Sequence, residues 1–375
     1  MIGLDTGHLV YNYGTKFQAY AMQCLLEQNG EKCEIIQWYN KNYGALNGLA
    51  DQVKKIKKVY SCYGLKLNYW GKALERYKAF NSFNSKFNIK KYYGTFSDMQ
   101  ENVKKYRTVF CGSDQAWLPD NVNQKRYTLD FCGKEIFKAA YAPSFGIDSI
   151  EEKHHKRYIE FLSNIDLISV REISGQKIIK DLINRDVPVV LDPTLLLTKK
   201  TWDDLMQESD FKLPTNEKYI FCYLLGENEK HRQAVMQAKK ELGYKIINLQ
   251  HFSNYCNADE NFADYNLFDV TPQDFIYLLS KAEIVCTDSF HCTAFSIHYR
   301  KTFSVFHRFK SSDSFSTNTR LSSLLAQLNL EDRIIHDDKV NLDKIDYNTV
   351  YEKLENLRII SIEFMQKALE GNKNV

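Results

Sequence analysis

Glu283-Ile284-Val285-Cys286-Thr287-Asp288-Ser289-Phe290-His291 is the stretch on which the fold turns. Ile284-Val285-Cys286 is a short apolar run of the kind that fills a buried parallel strand. Thr287, Asp288 and Ser289 are each suited to cap a helix start, and residues 292–299 continue as a mostly apolar helix. A strand that turns at once into a helix leaves its loop outside the carboxyl end of the sheet, where α/β folds place ligands. The helix start also offers free N–H groups and the positive end of a dipole, which favour phosphate or carboxylate. His291 falls in the first turn, where an imidazole can act as an acid toward a docked anion. On these residues alone, a capped buried helix with an incidental histidine fits equally well.

Strand-like and helix-like segments alternate on both sides of this stretch, which points to α/β with parallel sheets. Strands are expected at 1–5 (weak and truncated), 33–38, 108–111, 138–142, 167–170 and 187–191, with helices over 13–29, 151–164 and 174–184. A second series has strands at 219–223, 245–249, 283–286 and 302–306, with helices over 230–242, 272–280 and 289–299. Residues 45–105 are rich in Lys, Asn and Tyr, helical in pattern and without strand signals. The expected organisation is a first domain over 1–200 carrying a helical insertion at about 45–105, a second over 215–345, and a terminal helix within 346–375 packing back across the junction. Pro214-Thr215-Asn216 is the best turn signal near that junction.

A length of 375 residues leaves room for two cores. The net charge of +3, from 50 basic and 47 acidic residues, is too balanced to argue for nucleic acid as a partner. Lys54-Lys55-Ile56-Lys57-Lys58 offers a peripheral contact to an anionic membrane surface, although a solvated helix face explains it more simply. Nine cysteines contain no Cys-x-x-Cys pair, and Cys111, Cys222 and Cys286 sit in apolar runs. That argues for a reducing compartment and against a disulfide framework or a metal site. No secretory leader pattern or membrane-length apolar run is visible, so a cytoplasmic location is expected.

Further polar loops follow expected strands or precede expected helices. Gly112-Ser113-Asp114-Gln115 offers hydroxyl, carboxylate and amide groups, a set suited to hydroxyl-rich ligands but also ordinary for a loop. Ser169-Val170-Arg171-Glu172 ends a strand on an arginine that is placed to grip an anion bidentately, or merely to pair with Glu172. Asn12-Tyr13-Gly14 opens the first helix, and Asn318-Thr319-Arg320 introduces a later one. Neither a Gly-x-Gly-x-x-Gly fingerprint nor a Walker-type phosphate loop is present.

Six motifs occur in order: Asn-Tyr-Gly-x-x-x-Gln-Ala-Tyr-Ala from Asn12, Gly-Ser-Asp-Gln-x-Trp from Gly112, Ala-Pro-Ser-Phe-Gly from Ala142, Ser-Val-Arg-Glu-x-x-Gly from Ser169, Val-Leu-Asp-Pro-Thr-Leu-Leu-Leu from Val190 and Thr-Asp-Ser-Phe-His from Thr287. So arranged, the chain resembles the polysaccharide pyruvyl transferase family, from about Asn12 to about Arg333. The resemblance implies a glycosyltransferase-B-like α/β fold, with two Rossmann-like domains facing across a cleft. It implies transfer of a carboxyethylidene group from phosphoenolpyruvate, as co-substrate and without a cofactor, to two hydroxyls of one sugar in a lipid- or nucleotide-linked glycan precursor. His291 is then the expected acid, with Arg171, Arg320, Asp288 and Ser289 at the donor. Asn12, Tyr13, Gly14, Ser113, Asp114, Gln115 and Ser144 are expected at the acceptor or cleft. Members of the family commonly carry Arg-Leu before this histidine. Ser289-Phe290 stands there instead, leaving Arg320 or Arg308 to supply the charge. The competing readings are a nucleotide-sugar glycosyltransferase of the same architecture and a non-catalytic glycan-binding relative.

Overall fold

The computed structural model describes residues 1–40, 57, 59–61, 67–250, 255–309, 318–336 and 339–371. Two six-stranded sheets, parallel throughout, carry helices on their faces, the α/β architecture that the alternation predicts. The first is built from β1 (Ile2–Asp5), β2 (Cys33–Asn40), β3 (Ile89–Gly94), β4 (Thr108–Cys111), β5 (Phe137–Ala140) and β6 (Leu167–Ile168), in the order β3-β2-β1-β4-β5-β6. The second is built from β7 (Tyr219–Tyr223), β8 (Lys245–Leu249), β9 (Tyr265–Leu267), β10 (Ile284–Thr287), β11 (Thr302–Phe306) and β12 (Ile334–Ile335), in the order β12-β11-β10-β7-β8-β9. Counted along the chain, each sheet follows the Rossmann order, which reverses beside its first strand. The pairs β1–β4 and β7–β10 are therefore two switch points, the places where such sheets open a crevice at their carboxyl ends. Strands β4, β7 and β10 are buried at every residue, which is why they read as unbroken apolar runs.

An aromatic seam joins the sheets. Phe17, on the Tyr13–Gln28 helix, lies with its ring centroid 4.8 Å from Phe295 of the Phe290–His298 helix and 5.8 Å from Trp202. Trp202 and Phe295 are themselves 4.8 Å apart. Tyr13 stacks on Phe275 at 4.8 Å, and its hydroxyl donates to the Val270 carbonyl at 2.7 Å. Trp202 belongs to the Lys199–Met206 helix, inside the stretch expected as the junction. The Tyr347–Glu370 helix contacts both halves. Its Tyr347 hydroxyl donates to the Ser296 carbonyl at 3.2 Å, while Ser361 Oγ accepts the Leu191 N–H at 2.9 Å.

Several sequence expectations are corrected. Within the supposed helical insertion, Ile89–Gly94 is a strand at the sheet edge. Lys90, Lys91 and Tyr93 are exposed there, so the polar pattern is that of a charged edge strand. The Leu67–Phe83 helix does lie in that segment, whereas 41–56, 58 and 62–66, with most of the lysine run, fall outside the described residues. The strand expected at 187–191 is reduced to one bridge, Val170 to Val189, because Pro188 brings no N–H to a ladder. The short strands β9 and β12 went unread, being only 3 and 2 residues long.

Phe295→Ala would remove the ring that touches both Phe17 and Trp202, and should lower unfolding free energy by about 3–5 kcal/mol. Ile159→Ala, at a surface-exposed helix position, should change it by no more than about 0.5 kcal/mol. Urea unfolding of the two variants compares them directly, and equal midpoints would refute the seam's role.

Candidate active site

The two switch points open on one cleft of about 300 Å³. From the first sheet's side it is lined by Gly7, Asn12, Thr15, Ser113, Asp114 and Gln115, and from the second by Leu225, Ser289, Phe290, His291, Arg308 and Arg320. Asn12 caps the Tyr13–Gln28 helix, its side-chain oxygen accepting the Thr15 N–H at 3.1 Å. Ser289 caps the Phe290–His298 helix by accepting from the Cys292 N–H. Two helix N-termini from opposite sheets thus meet at the same opening, and both favour negative charge.

His291 sits where they meet. A Cβ built on Gly14 would stand 2.0 Å from His291 Nδ1, so the imidazole lies directly on bare helix backbone and only glycine leaves it room. The ring is buried, and Nε2 lies 3.4 Å from Asp192 Oδ2 without the alignment of a hydrogen bond.

Behind the cleft wall is a buried charge network. Arg171 Nη1 donates to Asp192 Oδ2 at 2.6 Å and Nη2 to Asp114 Oδ1 at 3.4 Å, while the guanidinium carbon lies 4.3 Å from the centre of the Phe290 ring. Asp114 also accepts from Thr15 Oγ1 at 2.9 Å and lies 3.7 Å from Arg320 Nη1. Burial alone would raise the Asp192 and Asp114 pKa values, but His291 and Arg171, joined by Arg320 at Asp114, hold both below the usual carboxylate range. For Arg171, burial is outweighed by Asp192, Asp114 and Glu172, so its pKa is raised. Arg320 fares differently. Burial, with the like charges of Arg171 and Arg308, pushes its pKa down to about 10 despite Asp114 and Glu172. On the cationic side of the cleft, Arg320 faces Asp114 and Arg308 Nε lies 3.6 Å from Asp288 Oδ2.

Of the expected site residues, Asn12, Ser113, Asp114, Gln115, Ser289, His291 and Arg320 come together on the cleft. Four others are engaged elsewhere. Arg171, expected at the donor, is buried and committed to its two aspartates. Asp288 accepts the Leu225 and Gly226 N–H groups at 2.7 Å each, and so shapes the loop after β7 rather than facing a ligand. Ser144 is fully buried and donates to Glu172 at 2.9 Å. Tyr13 belongs to the aromatic seam. Gly14 acts as the seat for His291.

The family model for polysaccharide pyruvyl transferase matches residues 12–306, a span that holds the motifs and most of the cleft. The chain belongs to the polysaccharide pyruvyl transferase family. No curated protein matches it. Among solved structures, UDP-GlcNAc 2-epimerase from Neisseria meningitidis is similar at 11% identity and TM-score 0.49, over 98% of this chain and 94% of that one. ADP-heptose LPS heptosyltransferase II of E. coli is similar at 10% identity and TM-score 0.39, over 96% and 99%.

For this member of the pyruvyl transferase family, the sequence reading leaves Asp192 and Thr15 without roles and gives Glu172 only that of a pairing partner for Arg171. Asp192 was within reach, since Val-Leu-Asp-Pro-Thr ends an apolar run just where a strand-end carboxylate would meet an arginine. Arg308 was named only as a substitute charge. It lines the cleft, its Nη2 donating to the Asp288 carbonyl at 3.2 Å beside Ser289.

A carboxylate whose pKa falls on folding adds stability above its unfolded pKa and loses it as pH drops through the folded value. The Asp192 contribution should therefore be constant above about pH 4 and fade below it. Asp192→Asn should cost about 3–5 kcal/mol at neutral pH, because Arg171 loses its closest partner. It should also flatten the acid limb of the stability curve. Urea midpoints from pH 7 to pH 2 measure both effects, and parallel acid limbs in variant and wild type would count against the pairing.

Proposed function

We propose that the protein transfers the carboxyethylidene group of phosphoenolpyruvate onto two hydroxyls of one sugar in a lipid- or nucleotide-linked glycan precursor, forming a ketal. One observation carries the reading beyond family membership. His291, backed by Asp192 at 3.4 Å from its Nε2, lines a cleft that Arg320, Arg308 and two helix N-termini also bound. That is the chemistry of a site for a small, multiply charged anion that must also be protonated.

In this reading Arg320, Arg308 and the helix N–H groups hold the donor's phosphate and carboxylate. The donor's negative charge would add to that of Asp114 beside Arg320. His291 gives its proton to the methylene carbon, which becomes a methyl group and leaves oxocarbenium character on the central carbon. A sugar hydroxyl adds there, and its proton returns to the imidazole. The bond from that carbon to the phosphate oxygen then breaks, the electron pair leaving with inorganic phosphate. The second hydroxyl adds, its proton passes to the departing phosphate, and the ketal closes. Asp192, 3.4 Å from His291 Nε2, offers the counter-charge for the imidazolium form.

Mass spectrometry of a glycan-precursor pool incubated with the protein and phosphoenolpyruvate tests the reaction, a gain of one carboxyethylidene unit being expected. If the pool instead gains a hexose from a nucleotide sugar, the chain is a glycosyltransferase. His291→Asn should keep its melting temperature and bind phosphoenolpyruvate while losing turnover, and near-normal turnover would sink the acid assignment. Arg320→Ala should weaken phosphoenolpyruvate binding by about 10- to 100-fold, the worth of a charged hydrogen bond. Isothermal titration reads that change.

A further inference from the structure

A second cavity of about 640 Å³ opens beside the cleft, in the first sheet's half of the molecule. The two share Gly7, Val10, Arg126 and Tyr127, so one surface leads from His291 into the second cavity. Its walls are of two kinds. Trp38, at the carboxyl end of β2, and Phe96 stand edge to face at 6.0 Å, both well exposed for aromatic rings. The Trp38 indole N–H donates to the Gly94 carbonyl at 3.2 Å, which fixes the ring's orientation. Around them apolar walls that include Ile36 and Met99 are interrupted by polar groups, Asp5, Gln37, Gln124 and Lys125. Asp5 ends β1 at the switch point, and among the described residues it has no ion-pair partner. Burial, opposed only by the Tyr127 backbone N–H, raises its pKa to about 7.

Fixed aromatic rings flanked by hydrogen-bonding groups match a pyranose, which has an apolar C–H face and a rim of hydroxyls. A lipid tail would offer no hydrogen bond to the Asp5 carboxyl, which would be left desolvated at a cost. A phosphate would meet the Asp5 carboxyl. The volume lies within the roughly 300–1,000 Å³ of small-ligand pockets, enough for more than one sugar ring.

We propose that this cavity is a glycan subsite, holding a sugar next to the one that receives the pyruvyl group, stacked on Trp38. The acceptor is then an oligosaccharide unit rather than a single sugar. This rests on the transfer reading above, but it concerns binding and is tested apart from turnover.

The full chain would be applied to a printed array of microbial oligosaccharides as wild type, Trp38→Ala, Trp38→Tyr and His291→Asn. Wild type and His291→Asn should bind the same glycans. Titrated against the tightest of them, Trp38→Ala should lose about 10-fold or more in affinity, and Trp38→Tyr should regain most of it, since an aromatic face is restored. Melting curves show whether Trp38→Ala is folded. If it is not, Phe96→Ala carries the same expectation. Undiminished binding by the folded ring variants, or a wild type that binds no glycan on the array, overturns the proposal. Trp38-dependent binding without any ketal formed from phosphoenolpyruvate would reject the transfer reading and leave the glycan subsite standing.

Discussion

The contact between Phe17 and Phe295, with ring centroids 4.8 Å apart, sets how closely two helices from opposite sheets approach. Everything at the cleft mouth follows from that spacing. Gly14 lies three residues before Phe17 and His291 four before Phe295, so on each helix the pair shares one face. When the phenyl rings pack, the turn above must pack as well, and there the imidazole meets a residue with no side chain. Trp202 closes the seam from the linking segment, touching both rings. The position of His291 is thus a packing result, with Asp192 Oδ2 3.4 Å from its Nε2.

Charge supplies the second constraint. Arg171, Asp192 and Asp114 are expensive to bury, and apolar residues of similar size would serve stability as well or better. What the network provides is placement. Arg171 holds Asp192 beside His291 and presents its own flat face to Phe290, so a first-half charge cluster is keyed to a second-half helix. Asp114 is shared between Arg171 and Arg320.

Much of this was legible in the residues, and the rest was hidden for physical reasons. Strands β4, β7, β8 and β11 match their expected bounds residue for residue because strands covered on both faces are predominantly apolar. β1 looked truncated, yet it is a central strand. Its Gly3 weakens the apolar pattern, but a Cβ there would come within 2.8 Å of Ile36 Cδ1. Edge strand β3 was concealed by the lysines that protect an edge. At the site, the loops after β1, β4 and β10 could be read because chemistry collects at strand ends in such sheets. The engagement of Arg171 and Asp288 could not. A strand-end position shows which side chains reach the rim, whereas the choice between neighbour and ligand depends on distances between segments far apart in sequence.

The Tyr347–Glu370 helix lies after both sheets in the chain, yet it completes contacts on each of them. During synthesis the first sheet leaves the ribosome long before this helix exists, and domains generally fold in the order in which they emerge. The Leu191 amide and the Tyr141 face must therefore wait, solvated, until Ser361 and Phe364 arrive. The aromatic seam does not share that delay, since all its rings belong to earlier segments.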